Sequence, residues 1–107
     1  MRYTRSHILK VLERHGLTDF QKKVLLETLK IPRGKTASYK EIAIRIGRPN
    51  AYRAVGTALR KNPLPIVLPC HRVILSSGRI GNYSGGSRKK LALLKAEHAN
   101  VGITVHK

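Results

Sequence analysis

Apolar residues recur at helical spacing through the first half of the chain and predict a series of short helices. The first pattern runs from Ser6 to Gly16, with Ser6 as the N-cap and Gly16 as the stop, and its apolar residues fall on one side. The second begins with a capping-box sequence at Thr18 and keeps its spacing until the Pro-Arg-Gly segment 32–34 breaks the chain. Both patterns are typical of amphipathic helices packed on a core.

The next two predicted helices lie close together and form a helix-turn-helix pattern. A second capping-box sequence, at Ser38, opens a helix that ends at Gly47, and Pro49 suits the first position of the following helix, which runs to the Asn62-Pro63 stop. The cations on and beside these helices are Arg45, Arg48, Arg53, Arg60 and Lys61. Together with small Ala and Gly residues on one side, they favour DNA binding through the second helix, with the packing of an ordinary helix pair as the alternative.

The second half of the chain changes from helical to strand-like patterning. Two brief apolar runs, 66–68 and 73–75, are typical of buried strands, and we expect Pro69 to impose a turn between them. A Gly/Ser-rich loop follows at 76–86, and Ser87 caps a last helix, 88–97. The predicted fold is a mainly α, winged-helix-like helix-turn-helix domain with a minimal two-stranded β-sheet formed by the segments on either side of Cys70.

Composition points to a single basic domain with a polyanionic partner. The 107 residues include 22 Lys and Arg against 5 Asp and Glu, a formal net charge of +17, and 41% of residues are hydrophobic, enough for one modest core. Nucleic acid is the commonest partner of such a chain, and an acidic membrane surface is the second. Because no apolar run approaches the length of a membrane span, we expect an intracellular, soluble protein: cytoplasmic and nucleoid-associated, or nuclear in a eukaryote.

One cysteine, Cys70, carries the candidate chemistry. A single cysteine excludes an internal disulfide and a multi-thiolate zinc site. The histidines lack the spacing of metal ligands, so we expect no bound metal. The sequence Pro69-Cys-His-Arg72 brings a thiol, a base and a cation together, and a neighbouring cation can lower the pKa of a thiol from its usual value of about 8.5. That combination favours a nucleophile; the alternative is that Cys70 is a small hydrophobic residue between buried strands.

Four blocks of sequence together resemble one known family. They are IPRGKTASY at 31–39, RAVG at 53–56, NPLPIVLPCHRVI at 62–74 and GNYSGG at 81–86. In this order they resemble the C-terminal domain of the O6-alkylguanine-DNA alkyltransferases, the methylated-DNA–protein-cysteine methyltransferases. The resemblance covers about residues 18–98 and implies that 1–17 is an appended helix in place of the relatives' N-terminal domain, with 99–107 as a tail. We expect the appended helix to cover core surface that the N-terminal domain would otherwise cover.

The resemblance implies direct reversal of DNA damage. Such a protein flips O6-alkylguanine, or O4-methylthymine, out of duplex DNA and moves the alkyl group once and irreversibly to its own cysteine, here Cys70, as a monomer without cofactor or metal. His71 would take the thiol proton through a water, and Glu97 would orient His71. Asn62 would brace the turn between the recognition helix and the cysteine; its simpler role is a helix stop before Pro63.

The resemblance also implies a set of residues that contact DNA or the flipped base. They are Tyr39, Ala51, Arg53, Gly56, Val73, Tyr83 and Ser84. Arg53 would fill the space left by the flipped base, Tyr39 would assist nucleotide rotation, and the backbone carbonyls of Cys70 and Val73 would accept from the guanine amine. Tyr83 and Ser84 would close the base pocket. Small residues on the recognition helix suit the minor groove, where readout carries little sequence information.

Two other functions compete with alkyl transfer. One is a non-enzymatic lesion sensor similar to the alkyltransferase-like proteins, which recruit other repair factors and lack the acceptor cysteine. The other is a basic architectural protein in which Cys70 is inert; this alternative leaves His71, Glu97, Tyr39 and Asn62 unexplained. Alkylation of Cys70 separates the first from a transferase, and equal affinity for damaged and plain DNA would favour the second.

Overall fold

A computed structural model describes residues 4–64, 67–77 and 86–97, apart from the side chain of Ser87. Within these segments the chain forms five α-helices, two 3₁₀ turns and two short strands. The helices are α1 (Arg5–Arg14), α2 (Asp19–Glu27), α3 (Tyr39–Arg45), α4 (Tyr52–Arg60) and α5 (Ser87–Ala96). The 3₁₀ turns are Thr28–Lys30 and Cys70–Arg72, and the strands are β1 (Ala37–Ser38) and β2 (Val73–Ile74). The predicted mainly helical fold with a minimal two-stranded sheet is confirmed.

The partner strand in the sheet differs from the prediction. β1 and β2 pair in parallel, with Ala37 opposite Val73 and Ser38 opposite Ile74, so the sheet joins the start of α3 to the end of the cysteine turn. The prediction that both strands flank Cys70 is therefore wrong: Val67 and Leu68 lie outside this sheet. The 3₁₀ turn Cys70–Arg72 redirects the chain immediately before β2, which brings it to a strand far away in sequence.

Side-chain caps fix the starts of α2 and α3, as the two capping-box sequences predict. The Thr18 hydroxyl accepts from the Gln21 backbone N–H at 3.1 Å, and the Gln21 side chain accepts from the Thr18 N–H at 3.1 Å. Ser38 and Glu41 form the same reciprocal pair, at 2.9 and 3.0 Å. Each box satisfies two backbone donors that a helix start would otherwise leave without partners.

Three predicted helix starts need correction. The N-cap of α1 is Thr4 rather than Ser6, since the Thr4 hydroxyl accepts from the His7 N–H at 3.2 Å. Pro49 is not the first residue of α4: it lies in a turn closed by the Ala51 N–H and the Arg48 carbonyl at 2.9 Å, where a fixed proline φ is equally suitable. The N-cap of α5 is Gly86, one residue before the predicted cap.

The core gathers one face of each helix around the cysteine segment. α2, α3 and α4 contribute Val24, Leu25, Ile42, Val55 and Leu59, and the segment around the cysteine contributes Leu68 and Val73. Ile8 and Leu12 of α1 are 3% and 0% exposed and belong to the same core, so the amphipathic α1 packs against the domain. In the part of the chain that the structure describes, no helix is both long and apolar enough to cross a membrane.

Candidate active site

A proline-centred turn presents the cysteine. Pro69 has φ −78° and ψ 60°, the geometry of an inverse γ-turn, and the Cys70 N–H donates to the Leu68 carbonyl at 2.7 Å. The 3₁₀ turn that follows allows Cys70 and His71, consecutive in sequence, both to be buried, at 2% and 0% exposure. Two consecutive residues of a strand would point to opposite faces. The predicted turn at Pro69 is confirmed.

Asn62 connects the end of α4 to the thiol. Its Nδ2 donates to the Leu68 carbonyl at 2.9 Å and to the Cys70 sulfur at 3.1 Å, and its Oδ1 accepts from the Leu64 N–H at 2.8 Å. The side chain is only 7% exposed, so these bonds replace the water contacts that its amide loses on burial. Asn62 is thus more than a helix stop, because it fixes the thiol to the helix-turn-helix.

His71, Glu97 and Arg72 form a connected polar group beside the cysteine. The His71 Nε2 lies 2.9 Å from Glu97 Oε2, and Arg72 donates from Nε to Oε1 at 2.9 Å and from Nη2 to Oε2 at 2.8 Å. The Arg72 fork, followed by hydrogen bonding from His71, lowers the pKa of Glu97 to about 2. An ionised Glu97 accepts only, so a neutral His71 carries its proton on Nε2 and has its basic lone pair on Nδ1.

The loop after α2 holds the end of α5, which carries Glu97. Arg72 Nη1 donates to the Ile31 carbonyl at 2.8 Å, and Arg33 Nη2 donates to the Ala96 carbonyl at 3.4 Å. Gly34 has φ +84°, and a Cβ there would lie 3.2 Å from the Glu97 carbonyl oxygen. Glycine therefore allows both the left-handed conformation and the close approach of this loop to the backbone of Glu97, the residue whose carboxylate pairs with His71.

The electrostatics of the thiol differ from the sequence prediction. Burial raises the pKa of Cys70, opposed by the Asn62 hydrogen bond and by the charge of Lys90. The neighbouring cations of the Cys-His-Arg sequence could lower this pKa, but burial outweighs any such effect, and the adjacent Arg72 is bonded to Glu97 and the Ile31 carbonyl. With its pKa raised, the thiol is protonated at neutral pH, so forming the thiolate requires a base.

Sequence reasoning missed Lys90. Its side chain is 1% exposed, and its ammonium lies 5.6 Å from the centre of the Tyr39 ring. A signal was present in the sequence: Lys90, Leu93, Leu94 and Glu97 follow the i, i+3, i+4, i+7 spacing of one helix face, and Leu94 is buried. A lysine within such an apolar stripe is a candidate for burial beside the site.

The structure places the predicted DNA-contacting residues in different settings. Arg53 is exposed on α4, Tyr39 is half-buried at the start of α3, and Ala51 is the N-cap of α4. Val73 is buried in β2, and its N–H donates to the Cys70 carbonyl, which as a carbonyl can accept a second bond. Tyr83 and Ser84 lie outside the described residues.

The fold itself does not require a glycine at position 56 of α4. Its φ lies outside the left-handed region, and a Cβ added to it would meet no described atom within 4 Å. A helix interior normally disfavours glycine relative to alanine. Packing within the described part of the domain therefore does not explain a glycine at this position of α4.

Known proteins share this sequence and fold. Residues 19–99 match the family described as "6-O-methylguanine DNA methyltransferase, DNA binding domain". The methylated-DNA–protein-cysteine methyltransferase of Methanosarcina barkeri is 52% identical over 84 residues, 78% of this chain and 53% of that protein. The human protein of the same name is 49% identical over 85 residues, 78% of this chain and 41% of that protein. The chain thus spans about half the length of the curated relatives it matches.

Solved structures agree with these relatives. The Mycobacterium tuberculosis OGT in complex with DNA superposes with a TM-score of 0.73 at 52% identity, covering 77% of this chain and 51% of that one. An S. pombe protein in complex with damaged DNA containing O6-carboxymethylguanine superposes with a TM-score of 0.71 at 35% identity, covering 82% and 83% of the two chains. This chain belongs to the 6-O-methylguanine DNA methyltransferase family, through the DNA-binding domain that defines the match.

Proposed function

We propose that this protein repairs alkylated DNA by transferring the O6-alkyl group of a guanine to Cys70. The observation that carries the proposal is the buried Cys70 sulfur, held by Asn62 at 3.1 Å, with its neighbour His71 paired to Glu97 at 2.9 Å. A thiolate is the side-chain nucleophile best suited to attack a saturated carbon. The named relatives, called methylated-DNA–protein-cysteine methyltransferases, support this choice of reaction.

The transfer is a single displacement in which His71 acts as the base. The Cys70 thiol gives its proton, through a water, to Nδ1 of His71, and the thiolate attacks the alkyl carbon bonded to guanine O6. The S–C bond forms as the C–O6 bond breaks, the electron pair stays with O6, and the released guanine takes up one proton. Glu97, already ionised, stabilises the imidazolium that His71 becomes. The thioether product has no simple route back, so each molecule reacts once.

Access to the lesion requires the base to leave the duplex. α4 would lie in the minor groove, with exposed Arg53 entering the base stack and Tyr39 assisting rotation of the nucleotide. The sheet pairing and Asn62 both join this helix-turn-helix to the cysteine turn. Docking of α4 on DNA would therefore set the position of the thiol relative to the flipped base.

Mass spectrometry after reaction with a defined lesion tests the proposal. The protein is incubated with a short duplex containing one O6-methylguanine, at one and at many equivalents of DNA, and intact and peptide masses are recorded. The expected result is a gain of one CH₂ per molecule, located on Cys70 and saturating at one event. The matched control is Cys70→Ala, which should gain no mass. Wild-type protein that stays unmodified would overturn the proposal.

A second candidate function is lesion recognition without transfer. The observation that favours it is the S. pombe structure with O6-carboxymethylguanine, whose chain this protein matches over 83% of its length. The same experiment separates the two functions when binding is measured beside mass. Unmodified Cys70 with tight, lesion-selective binding would establish a sensor, whereas unmodified Cys70 with equal affinity for damaged and plain duplex would leave a basic architectural protein.

A further inference from the structure

A basic groove runs between α2 and the end of α3, on a part of the surface that the proposed transfer chemistry does not use. Its first cavity, of about 300 Å³, is lined by four cations and one carboxylate, Arg5, Lys23, Lys30, Arg45 and Glu27. These residues come from α1, α2, the 3₁₀ turn after α2 and α3. Cations gathered around one concavity reinforce one another in attracting anions from solution.

The groove continues to the turn that precedes α4. Lys23 lines the first cavity and also a second one beside it, of about 80 Å³, which Arg48 lines as well. Arg48 in turn lines a third cavity, on the turn 47–51 that leads into α4. Three cations, Arg48, Lys23 and Arg5, therefore follow one another from the proposed DNA-binding helix to the start of α1.

Acidic residues compensate only part of this positive charge. Lys30 lies 3.4 Å and Arg45 lies 3.9 Å from the carboxylate oxygens of Glu27, whose side chain is 11% exposed. Arg5 and Lys23 are exposed, and neither forms an ion pair with a carboxylate of the residues that the structure describes. Glu27 thus pairs with two cations of the first cavity, and the other two are available to an anion from outside.

We propose that this groove binds the phosphate backbone of the DNA duplex beyond the segment that α4 occupies. The inference rests on the proposed function, because it takes α4 as the helix that docks on DNA. A row of cations in adjoining cavities matches successive phosphates along a strand, whereas a small free anion would occupy one cavity only. Backbone contacts of this kind fix the orientation of a protein on a duplex without reading its sequence.

The groove gives α1 a part in DNA binding. Arg5 is the first residue of this helix, and it lies outside residues 19–99, which match the family. The family match therefore does not account for this end of the groove. Ile8 and Leu12 of the same helix are buried in the core, so packing holds the backbone of Arg5 at the edge of the first cavity.

Removing Arg5 and Lys23 together should reduce the salt dependence of binding to undamaged duplex. Fluorescence anisotropy gives the affinity of wild type and of Arg5→Gln/Lys23→Gln at four salt concentrations, on a duplex of about two helical turns. Each phosphate contact contributes about −0.9 to the slope of log K against log salt concentration, so the slope of the double variant should be shallower by about 1.8. The matched control is Lys10→Gln/Arg14→Gln, which removes two exposed cations of α1 that do not line the groove. Its slope should equal that of wild type.

Glu27→Gln should change the affinity in the opposite direction. It removes the negative charge of the first cavity and releases Lys30 and Arg45 to interact with phosphates. Binding of undamaged duplex should tighten by about twofold to fivefold, the factor that corresponds to one exposed charge interaction. Glu13→Gln, at an exposed position of α1, should bind like wild type. Loss of structure would weaken binding, so a gain in affinity reports on charge in the groove.

Three results would each overturn the inference. The first is an equal slope for wild type and Arg5→Gln/Lys23→Gln, and the second is a Glu27→Gln variant that binds no more tightly than wild type. The third is a control pair whose slope falls as far as that of the double variant, because net charge alone would then explain the change.

Failure of this inference and failure of the proposed function give different results. The binding measurements use undamaged DNA, so a shallower slope in the double variant together with tighter binding by Glu27→Gln supports the groove even in a protein that leaves O6-methylguanine unchanged. Conversely, wild type that accepts the methyl group on Cys70 while the slopes coincide would retain the function and remove the groove from it.

Discussion

At the scale of single residues, Glu97 connects the chemistry of the site to the stability of the fold. Its two oxygens receive the Arg72 fork and its Oε2 also faces His71, on a side chain that is 7% exposed. One carboxylate thus orients His71 and joins the end of α5 to the cysteine turn. Both roles need the ionised form.

Replacement of Glu97 by Gln should therefore destabilise the protein in a pH-dependent way. Folding lowers the pKa of this carboxyl from 4.5 to about 2, so its stabilisation is complete above pH 4.5 and is lost as the pH falls towards 2. From that shift we expect a loss on the order of 3 kcal/mol at pH 7. Urea unfolding at pH 7, 4 and 2.5 measures it, with Glu13→Gln at an exposed site of α1 as the control.

The test is how the difference in unfolding free energy between wild type and variant changes with pH. The free-energy difference between wild type and Glu97→Gln should shrink steadily between pH 4.5 and pH 2, whereas Glu13→Gln should stay close to wild type at each pH. A difference that is constant with pH would show that Glu97 acts through shape and neutral hydrogen bonding alone.

At the scale of elements, one substitution in α4 should stabilise the fold and weaken DNA binding. Gly56→Ala adds a methyl group that meets no described atom within 4 Å and removes the entropic cost of a helix-interior glycine. We expect unfolding to become about 0.5–1 kcal/mol less favourable and affinity for duplex DNA to fall. Thermal unfolding and fluorescence anisotropy on the same preparation measure both; unchanged affinity would remove Gly56 from the interface.

Elements with local signals were predictable and those that depend on distant pairing were not. The capping boxes at Thr18 and Ser38 and the turn at Pro69 follow from neighbouring residues, and the structure has them where the sequence predicts. β1 is two residues long and pairs with residues 36 positions later, so its local sequence carries no signal strong enough to predict the pairing. Two helix starts differ from the prediction because other groups accept the backbone N–H bonds there. Pro49 lies in a turn closed by a backbone hydrogen bond, and the hydroxyl of Thr4 caps α1.

The candidate site divides in the same way. Cys70 and His71 are adjacent in sequence, so their chemistry alone was enough to predict a candidate site there. Glu97 and Asn62 were expected only through the family resemblance. Arg72 pairs with Glu97, which lies 25 positions away in the sequence. The residues next to Arg72 in the sequence therefore do not reveal its partner. Burial of Lys90 likewise depends on how α5 packs.

At the scale of the whole molecule, charge should dominate affinity for DNA. A formal net charge of +17 on 107 residues gives a surface that attracts any polyanion, and release of counterions then makes binding strongly dependent on salt. Affinity and selectivity have separate sources in such a protein. Under the proposed function, phosphate contacts would supply the first and recognition of the flipped base would supply the second.

Removing one cation from the turn before α4 should reduce the salt dependence of DNA binding by a calculable amount. Arg48 is exposed in the turn between α3 and α4, and each phosphate contact contributes about −0.9 to the slope of log K against log salt concentration. Arg48→Ala should make the slope shallower by about 0.9. Arg14→Ala, exposed on α1, should leave it unchanged. Binding isotherms at four salt concentrations measure both; equal slopes for wild type and Arg48→Ala would place the turn away from the phosphates.

The position of α5 after the cysteine has a consequence for synthesis of the protein. Cys70 leaves the ribosome before Lys90 and Glu97, which lie 20 and 27 positions further along the chain. Until α5 docks, the imidazole of His71 has no carboxylate beside it, and the charge of Lys90 does not act on the thiol. The candidate site is therefore assembled only when the last described helix folds onto the cysteine turn.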